Sequence, residues 1–437
     1  MKKHFNKTIF YILSLCLFGG IVSCKKENIA TDPPVGGNNG AADTLAVLFR
    51  NSYRVYEMQR NTIGIYRDSK LFKGTDYHPA SVANIGIGLV SLCIADQMKW
   101  IPDADKQAVI TLRSILARDK TFKLDVNAAG FPRHFVNMET GAQEWGSEYS
   151  TVDAAIMVSG ALFCKNYFKN NQTISGLADS LYQSIDWSKA IADPLTGKLY
   201  LTLDANGKGI GTTSVYNEYM LLAHLAYKAE NGKGGPATNL WTNFYANTAN
   251  LPKSNYAGYE LVTDYPGSYL SDFIPQFCYY LCQPYSASPA YMKYMKNAML
   301  ADQQWWTGTA ITAHYEWGLG AGSDPSGYHA NRINDNAGQV VSPHIIGGFI
   351  PVNATAKNDL MSLYRANKGV YKLPGTAYDI LWRYSKKDPA WTANEVQGID
   401  YSTMLFGLAT LDEHCGKDFF TVNNNYKFPA FAFVSVK

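Results

Sequence analysis

Long helical patterns recur along almost the whole chain and constrain its fold more than any other feature. Some are amphipathic, whereas others, such as residues 84–96 and 401–411, are apolar nearly all round. A helix that is apolar on every side must be packed on every side, while an amphipathic helix keeps one face in water. The alternation therefore predicts two concentric layers of helices, an all-α fold of the (α/α)6 toroid type with few short strands.

The bounds of these elements follow from apolar periodicity and from capping residues. Helices are predicted at residues 43–58, 82–99, 104–118, 150–168, 175–185, 214–229, 270–282, 289–304, 342–349, 356–367, 374–385 and 398–413, and strands at 198–203, 311–317 and 430–436. A toroid gathers its polar cavity at one end, where the connections between inner and outer helices meet. Functional residues are therefore sought at helix starts and in Gly-rich loops.

The N-terminus has the pattern of an export signal. Three lysines precede an apolar run at residues 8–22, and Ile21-Val22-Ser23-Cys24 resembles a bacterial lipobox. We predict a signal peptide at 1–23, a lipidated Cys24 that begins a flexible tether at 24–42, and one catalytic domain at 43–437. The protein would then be an outer-membrane lipoprotein that faces the periplasm or the cell surface. A plain secretory signal is the alternative.

Charge and composition restrict the partners. Removal of residues 1–23 deletes three lysines and no acid, which leaves 36 basic against 36 acidic residues. This balance argues against nucleic acid as a partner. The 30 Tyr, 20 Phe and 9 Trp suit a neutral saccharide instead. The five remaining cysteines form no disulfide framework, and we expect a monomer without metal or cofactor.

Residues 132–164 run from a polar, aromatic turn into an apolar helix. Trp145, Glu148 and Asp153 lie before or at the start of this helix, where unpaired N–H groups favour negative charge. Carboxylates beside a tryptophan can hold a sugar by its hydroxyls and its apolar face. An ordinary helix start explains the same residues, with Ser150 as N-cap and Asp153 as its partner three residues on.

This region also carries a family resemblance. Its string HFVNMETGAQEWGSEYSTVDAA (134–155) resembles the signature of the glucoamylase-like bacterial proteins, among them the β-1,2-glucanases of glycoside hydrolase family 144. The likeness continues in order through IYRDS (65–69), ASVANIGIGLVSLCIAD (80–96), VYNEYMLLAHLAY (215–227), HYEWGLGAGSDPSGYHA (314–330), VSPH (341–344) and GID (398–400). The resemblance implies a toroid and an endo-type, inverting hydrolase of β-1,2-glucan.

Glycoside hydrolysis uses one carboxylic acid and one carboxylate, and burial raises the pKa of the acid. Glu218, at the start of an apolar helix, is the predicted general acid, and a helix-start Glu favoured by the dipole is the alternative. Asp400, after Gly398, is the predicted base or else an N-cap. The family's residues after this Asp are replaced here by Tyr-Ser-Thr. Glu148 is a third catalytic candidate: Glu148 and Asp153 either accept hydrogen bonds from sugar hydroxyls or form the catalytic pair in place of one residue named above.

The remaining candidates would contact substrate. Gln276 lies where the family carries a polar site residue, although the family's nearby His is absent. His329 alone is more often structural. The predicted substrate-binding residues are Trp145, Asp153, Arg67, Asp68, Arg133, Gln276, Glu316, Trp317, Asp324, Tyr328 and His329.

Three functions compete at this point. The first is a lipid-anchored hydrolase of a neutral β-glucan. The second is a non-catalytic glycan-binding lipoprotein that delivers oligosaccharides to a transporter and needs no paired acids. The third, a polysaccharide lyase, needs cations around a uronate, which the charge balance disfavours.

Overall fold

Helices dominate the regular structure. The structure is a computed structural model that describes residues 41–75, 77–118, 121–309 and 313–435. The predicted signal peptide, Cys24 and nearly all of the tether lie outside these residues. The α-helices are α1 (Ala41–Gln59), α2 (Val82–Gln97), α3 (Ala104–Ile115), α4 (Thr151–Tyr167), α5 (Gln172–Gln183), α6 (Met220–Ala229), α7 (Pro236–Leu240), α8 (Phe273–Leu281), α9 (Gln283–Ser286), α10 (Pro289–Gly308), α11 (Pro343–Gly348), α12 (Ala356–Arg365), α13 (Gly398–Ala409) and α14 (Phe419–Asn423).

Short strands connect the helices, mostly as antiparallel pairs of two to four residues. They are β1 (Ser69–Leu71), β2 (Ala80–Ser81), β3 (Phe135–Val136), β4 (Tyr149–Ser150), β5 (Ile191–Asp193), β6 (Lys198–Leu203), β7 (Gly209–Thr212), β8 (Lys253–Tyr256), β9 (Tyr259–Val262), β10 (Ala321–Asp324), β11 (Gly327–Ala330), β12 (Val340–Val341), β13 (Val370–Lys372), β14 (Asp379–Leu381), β15 (Tyr384–Ser385) and β16 (Glu395–Gln397).

The most buried helices form a closed inner layer. Contacts lead from α2 through α4, α6, α8, α11 and α13 and back to α2. In α2 every residue from Val82 to Ala95 is buried. By contrast, α3 buries a single stripe that includes Ala104, Ala108 and Leu112, as expected for an outer helix. The described residues thus form a helical toroid, which confirms the predicted class at this level.

Glycines allow the inner helices to pack closely. A Cβ added to Gly160 on α4 would lie 2.1 Å from the carbonyl oxygen of Gly86 on α2. A Cβ on Gly407 of α13 would lie 1.8 Å from the carbonyl oxygen of Gly347 on α11. No side chain fits at these distances, so glycine is required at these helix crossings.

Three element predictions were wrong. Residues 374–385, predicted as a helix, contain β14 and β15, because Gly375 at φ +70° turns the chain so that β14 pairs with β13. The strands predicted at 311–317 and 430–436 are absent from the described parts, 313–317 and 430–435. Strand 198–203 is confirmed as β6.

The helix predicted from residue 214 begins only at Met220. The side chain of Asn217 accepts a hydrogen bond from the Tyr219 N–H at 3.0 Å, which holds a turn just before the helix. Glu218 therefore lies in this turn and not in the first helical turn, where it was predicted.

Candidate active site

A cavity of about 540 Å³, large enough for sugar units, lies at the start of the inner helix α13. It lies where β1 and β16 pair and where the β10–β11 hairpin folds over the start of α13. Of the predicted site residues, the cavity is lined by Asp68, Trp145, Asp324, Tyr328 and Asp400. It is also lined by His78, His134, Phe135, Ser323, Gly327, Trp391, Asn394, Glu395, Gln397 and Ile399.

Strand pairing brings Asp68 next to Asp400. Ser69 of β1 pairs with Gln397 of β16, and the Gly398 N–H donates to the Asp68 carbonyl at 2.8 Å. Burial, and then the charge of Asp400, raises the pKa of Asp68 to about 7. The pKa of Asp400 is raised as well, as described next, so two carboxyl groups in one cavity have pKa values well above their usual range. Such raised values suit acid–base chemistry.

Asp400 is held by hydrogen bonds inside the cavity and does not cap its helix. The N-cap position of α13 is occupied by Gln397, so the N-cap alternative for Asp400 was wrong. The Tyr328 hydroxyl lies 3.1 and 3.2 Å from the two Asp400 oxygens, although 64% of Tyr328 as a whole is exposed. Burial raises the pKa of Asp400 to about 6, and the nearby Arg383 charge and the Tyr328 hydrogen bond limit that rise.

Gly398, two residues before Asp400, packs closely against α2. A Cβ at this position would lie 2.3 Å from the Asn84 amide nitrogen. The same Asn84 amide donates to the Arg67 carbonyl at 2.5 Å. Gly398 therefore fixes the distance between α13 and the segment that carries Asp68.

His134 joins the carboxylates of the 134–155 segment. Its Nδ1 lies 3.2 Å from Glu148 Oε1, and its Nε2 lies 3.8 Å from Asp153 Oδ1. Burial lowers the pKa of His134, but the charges of Asp153, Glu148 and Asp68 outweigh it and raise that pKa to about 9. His134 is therefore a cation at neutral pH, and its hydrogen bond holds the pKa of Glu148 below the usual range.

Only half of the capping box predicted at the start of α4 is confirmed: Ser150 is the N-cap, but Asp153 does not bond back to it. The Ser150 hydroxyl accepts from the Asp153 N–H at 3.3 Å. The return bond is missing, because the Ser150 N–H donates to the Pro132 carbonyl. The Asp153 carboxylate is thus free to face His134 instead of closing a capping box.

Glu218 lies beside this cluster but does not line the cavity. Burial, followed by the charge of Asp153, raises the pKa of Glu218. Asp153 thus acts electrostatically on both Glu218 and His134, and the charge of His134 acts on Asp68. Glu148, Glu218 and Asp400 therefore belong to one connected set of charges.

Trp145 forms an exposed aromatic wall. It is 55% exposed and adopts φ +51°, a conformation that bulky residues rarely occupy. Its ring packs edge-on against Phe135 and His78, with centroids 5.0 and 5.7 Å away. Local strain that holds a large apolar ring against solvent is typical of a ligand contact.

Several predicted binding residues have other partners. The Arg133 guanidinium contacts Asp125 at 3.1 Å and the Ser147 carbonyl at 2.8 Å, and it stacks on Tyr149. Gln276 is fully buried and donates to the Ile345 carbonyl, so it joins α8 to α11. Neither residue lines the cavity, and a direct sugar contact from either has no support in this geometry.

The 314–330 segment divides between the site and its surroundings. Trp317 is buried and donates to Asp359 at 2.8 Å, and His329 pairs with Asp335 at 3.2 Å. Glu316 lies in a neighbouring cavity with Lys386. Asp324 lines the same cavity as Asp400 but also accepts hydrogen bonds from Ser326, which closes the β10–β11 turn. Exposed Arg67 is not among the cavity residues.

Sequence reasoning missed two charged residues that define the site. His134 stands inside the quoted family string and could have been chosen from it. Arg383 is fully buried, donates to the His329 carbonyl and Asn331, and acts on Asp400. Nothing in the sequence around Arg383 distinguishes it, because it lies in the stretch wrongly predicted as a helix.

The described residues contain no group of three or more His, Cys, Asp or Glu side chains placed to hold a metal ion. The same part of the chain has no helix with the length and apolarity needed to cross a membrane.

Comparisons place this architecture among known structures. No protein-family model matches the sequence, and a comparison with curated proteins finds no match either. The structure is similar to an endo-β-1,2-glucanase from Chitinophaga pinensis in complex with sophorotriose and glucose, at 17% identity and TM-score 0.73, over 88% of this chain and 95% of that one.

Two further structures agree. A glucoamylase-like protein from Bacteroides fragilis matches at 17% identity and TM-score 0.74, over 90% of this chain and 96% of that one. An endo-β-1,2-glucanase from Talaromyces funiculosus with β-1,2-glucan matches at 12% identity and TM-score 0.61, over 91% and 95%. At such identities the likeness establishes the fold, and chemistry must be argued from the site. The chain thus has the fold of the glucoamylase-like proteins and β-1,2-glucanases, as the sequence resemblance predicted.

Proposed function

We propose that the protein is a glycoside hydrolase that cleaves β-1,2-glucan within the chain and inverts the anomeric configuration. The observation that supports this proposal is a sugar-sized cavity in which Asp68 and Asp400 have raised pKa values and which an exposed tryptophan, Trp145, also lines. A non-catalytic glycan-binding protein needs the tryptophan but gains nothing from buried acids, which cost free energy to desolvate. The fold shared with β-1,2-glucanases supports the choice of linkage.

We assign the general acid to Glu218 and the general base to Asp400. Glu218 would give its proton to the glycosidic oxygen as the bond to the anomeric carbon breaks. Asp400 would take a proton from the water that attacks the anomeric carbon from the opposite face. A β-linkage would then yield an α-anomer first.

Asp68 is the competing acid. It lines the same cavity as Asp400, and its pKa of about 7 keeps it partly protonated at neutral pH. If Glu218 is the acid, Asp68 would instead hydrogen-bond the attacking water or a sugar hydroxyl. His134 would keep Glu148 ionised, Glu148 and Asp153 would accept hydrogen bonds from sugar hydroxyls, and Trp145 would stack on a glucose ring.

The finer architecture and the location belong to the same proposal. The inner circle of α2, α4, α6, α8, α11 and α13 supports a double ring of six helical hairpins, (α/α)6. We propose that Cys24 carries a lipid that anchors the protein to the outer membrane, on the periplasmic or outer side. Metabolic labelling with a palmitate analogue tests this, because Cys24→Ala would abolish the label.

Activity on linear β-1,2-glucan tests the proposed chemistry. Reducing-sugar release should fall at least about a hundredfold in Glu218→Gln and Asp400→Asn. The matched control Glu413→Gln removes an exposed carboxylate beside Lys357 and should retain activity. NMR of early product should show the α-anomer. A larger loss in Asp68→Asn than in Glu218→Gln would transfer the acid role to Asp68, and glucan binding without any cleavage would refute the hydrolase.

A further inference from the structure

A second cavity adjoins the first. It has a volume of about 630 Å³ and shares Trp391 with the site described above. The segment 391–395 separates the two spaces, since Asn394 and Glu395 line the first while Thr392 and Ala393 line the second. Two cavities with a common aromatic wall can hold neighbouring parts of one extended ligand.

The dividing segment is firmly attached. The Phe72 N–H donates to the Asn394 carbonyl at 2.8 Å, and the Ala393 N–H donates to the Tyr371 hydroxyl at 2.9 Å. That hydroxyl donates in turn to the Arg383 carbonyl at 2.8 Å, and the Phe72 and Tyr371 rings stack with centroids 4.6 Å apart. The second cavity is thus formed by fixed aromatic and backbone groups.

Basic residues outnumber acidic residues in the lining of the second cavity. Its lining contains Lys73, Lys368, Lys372 and Lys386 but a single carboxylate, Glu316. Lys386 is neutralised by Glu316 at 2.8 Å, and Lys372 pairs with Asp379 at 2.9 Å.

The other two lysines of the lining are Lys73 and Lys368. Both are exposed, and neither has a described ion-pair partner. The first cavity has the opposite character, because the four acids that line it, Asp68, Asp324, Glu395 and Asp400, outnumber its one cation, His134. An anion entering this face would therefore be repelled from the first cavity and attracted to the second.

We propose that the second cavity binds a sugar unit that carries an acidic substituent, with the sugar ring against Trp391 and the anionic group at Lys73 and Lys368. Aromatic rings alone would suit any sugar, whereas the two ammonium groups select an acidic one. That this unit belongs to the same chain as the one bound in the first cavity is an extension that rests on the proposed function.

Calorimetric titration of the full chain tests the site without turnover. Glucose 6-phosphate should bind at least tenfold more tightly than glucose, and its affinity should fall as salt rises. The double variant K73A/K368A should lose at least tenfold in affinity for glucose 6-phosphate, while the matched control K293A/K296A, two exposed lysines on α10, should lose none. Equal binding of glucose and glucose 6-phosphate, or undiminished binding to K73A/K368A, would overturn the proposal. So would inorganic phosphate binding as tightly as the sugar phosphate.

A kinetic comparison tests the extension. β-1,2-glucan oxidised at a fraction of its C6 hydroxyls to carboxylates should show a lower KM than neutral glucan, and K73A/K368A should remove that difference. Equal KM values for the two glucans in the unaltered protein would contradict it. Hydrolysis of neutral glucan without binding of glucose 6-phosphate would refute this inference and leave the proposed function standing. Binding of glucose 6-phosphate without hydrolysis of neutral glucan would refute the proposed hydrolase activity alone.

Discussion

Replacement of His134 by Gln should remove a pH-dependent part of the folding stability. His134 is 28% exposed and lies between Glu148 and Asp153. Its pKa rises from 6.5 to about 9 because the charges of Asp153, Glu148 and Asp68 outweigh the effect of burial. The folded protein thus holds this proton more tightly than the unfolded chain does.

The sign and size follow from linkage. A raised histidine pKa contributes stability that is complete below the unfolded pKa of 6.5 and is lost as the pH rises through about 9. At about 1.4 kcal/mol per pKa unit, the contribution of His134 is up to about 3 kcal/mol near pH 6 and close to zero at pH 10. The lost ring packing costs the same at both pH values, so it cancels in their difference.

Urea unfolding followed by tryptophan fluorescence at pH 6 and pH 10 measures this difference. The free-energy loss in His134→Gln should be larger at pH 6 than at pH 10 by up to about 3 kcal/mol. The control His329→Gln removes a more exposed histidine, 3.2 Å from Asp335, and should cost under about 1 kcal/mol. An equal loss in His134→Gln at both pH values would refute the view that a charged His134 is stabilised by its carboxylates.

Three further predictions concern the cavity and its surroundings. The kcat/KM for β-1,2-glucan should rise with pH through about 6 as Asp400 ionises. Tyr328→Phe should move this rise to higher pH, because the hydrogen bond from Tyr328 holds the pKa of Asp400 down. A pH profile that does not move would exclude that hydrogen bond from the function of the site. Trp145→Ala should raise KM about tenfold with little change in kcat, since stacking is equal in ground and transition states; a loss confined to kcat would contradict a platform role. Arg133→Ala should lower the unfolding free energy by about 1–2 kcal/mol, because the contacts with Asp125 and Tyr149 are lost. Its KM should be unchanged, and a raised KM would show that Arg133 binds substrate.

The fold was predictable from sequence where local patterns decide it. Residues 84–96 and 401–411 are apolar nearly all round, and in the structure residues 84–95 of α2 and 401–409 of α13 are all buried. Prediction failed at 374–385, because the pairing of β14 with β13 depends on residues elsewhere in the chain. It also failed at residues 214–219, where one asparagine side chain delays a helix.

The site was predictable in part. The family string pointed to Trp145, Glu148 and Asp153, and the structure places all three around His134 or Phe135. Asp68 and Asp400 were singled out separately, but their proximity depends on β1 pairing with β16. Their assignment as catalytic residues stays a prediction until the variants are measured.

The sequence by itself determined most of the helical segments, the burial of the helices that are apolar all round, and the short motifs that carry acids near helix starts, because periodicity and capping depend on near neighbours. Only the tertiary structure decided that Asp68 lies near Asp400, that the buried Arg383 acts on Asp400, and that four lysines line a cavity next to the acidic one. The physical reason is that desolvation and Coulomb interactions depend on distance in space, and a chain of balanced composition can still fold with its charges separated.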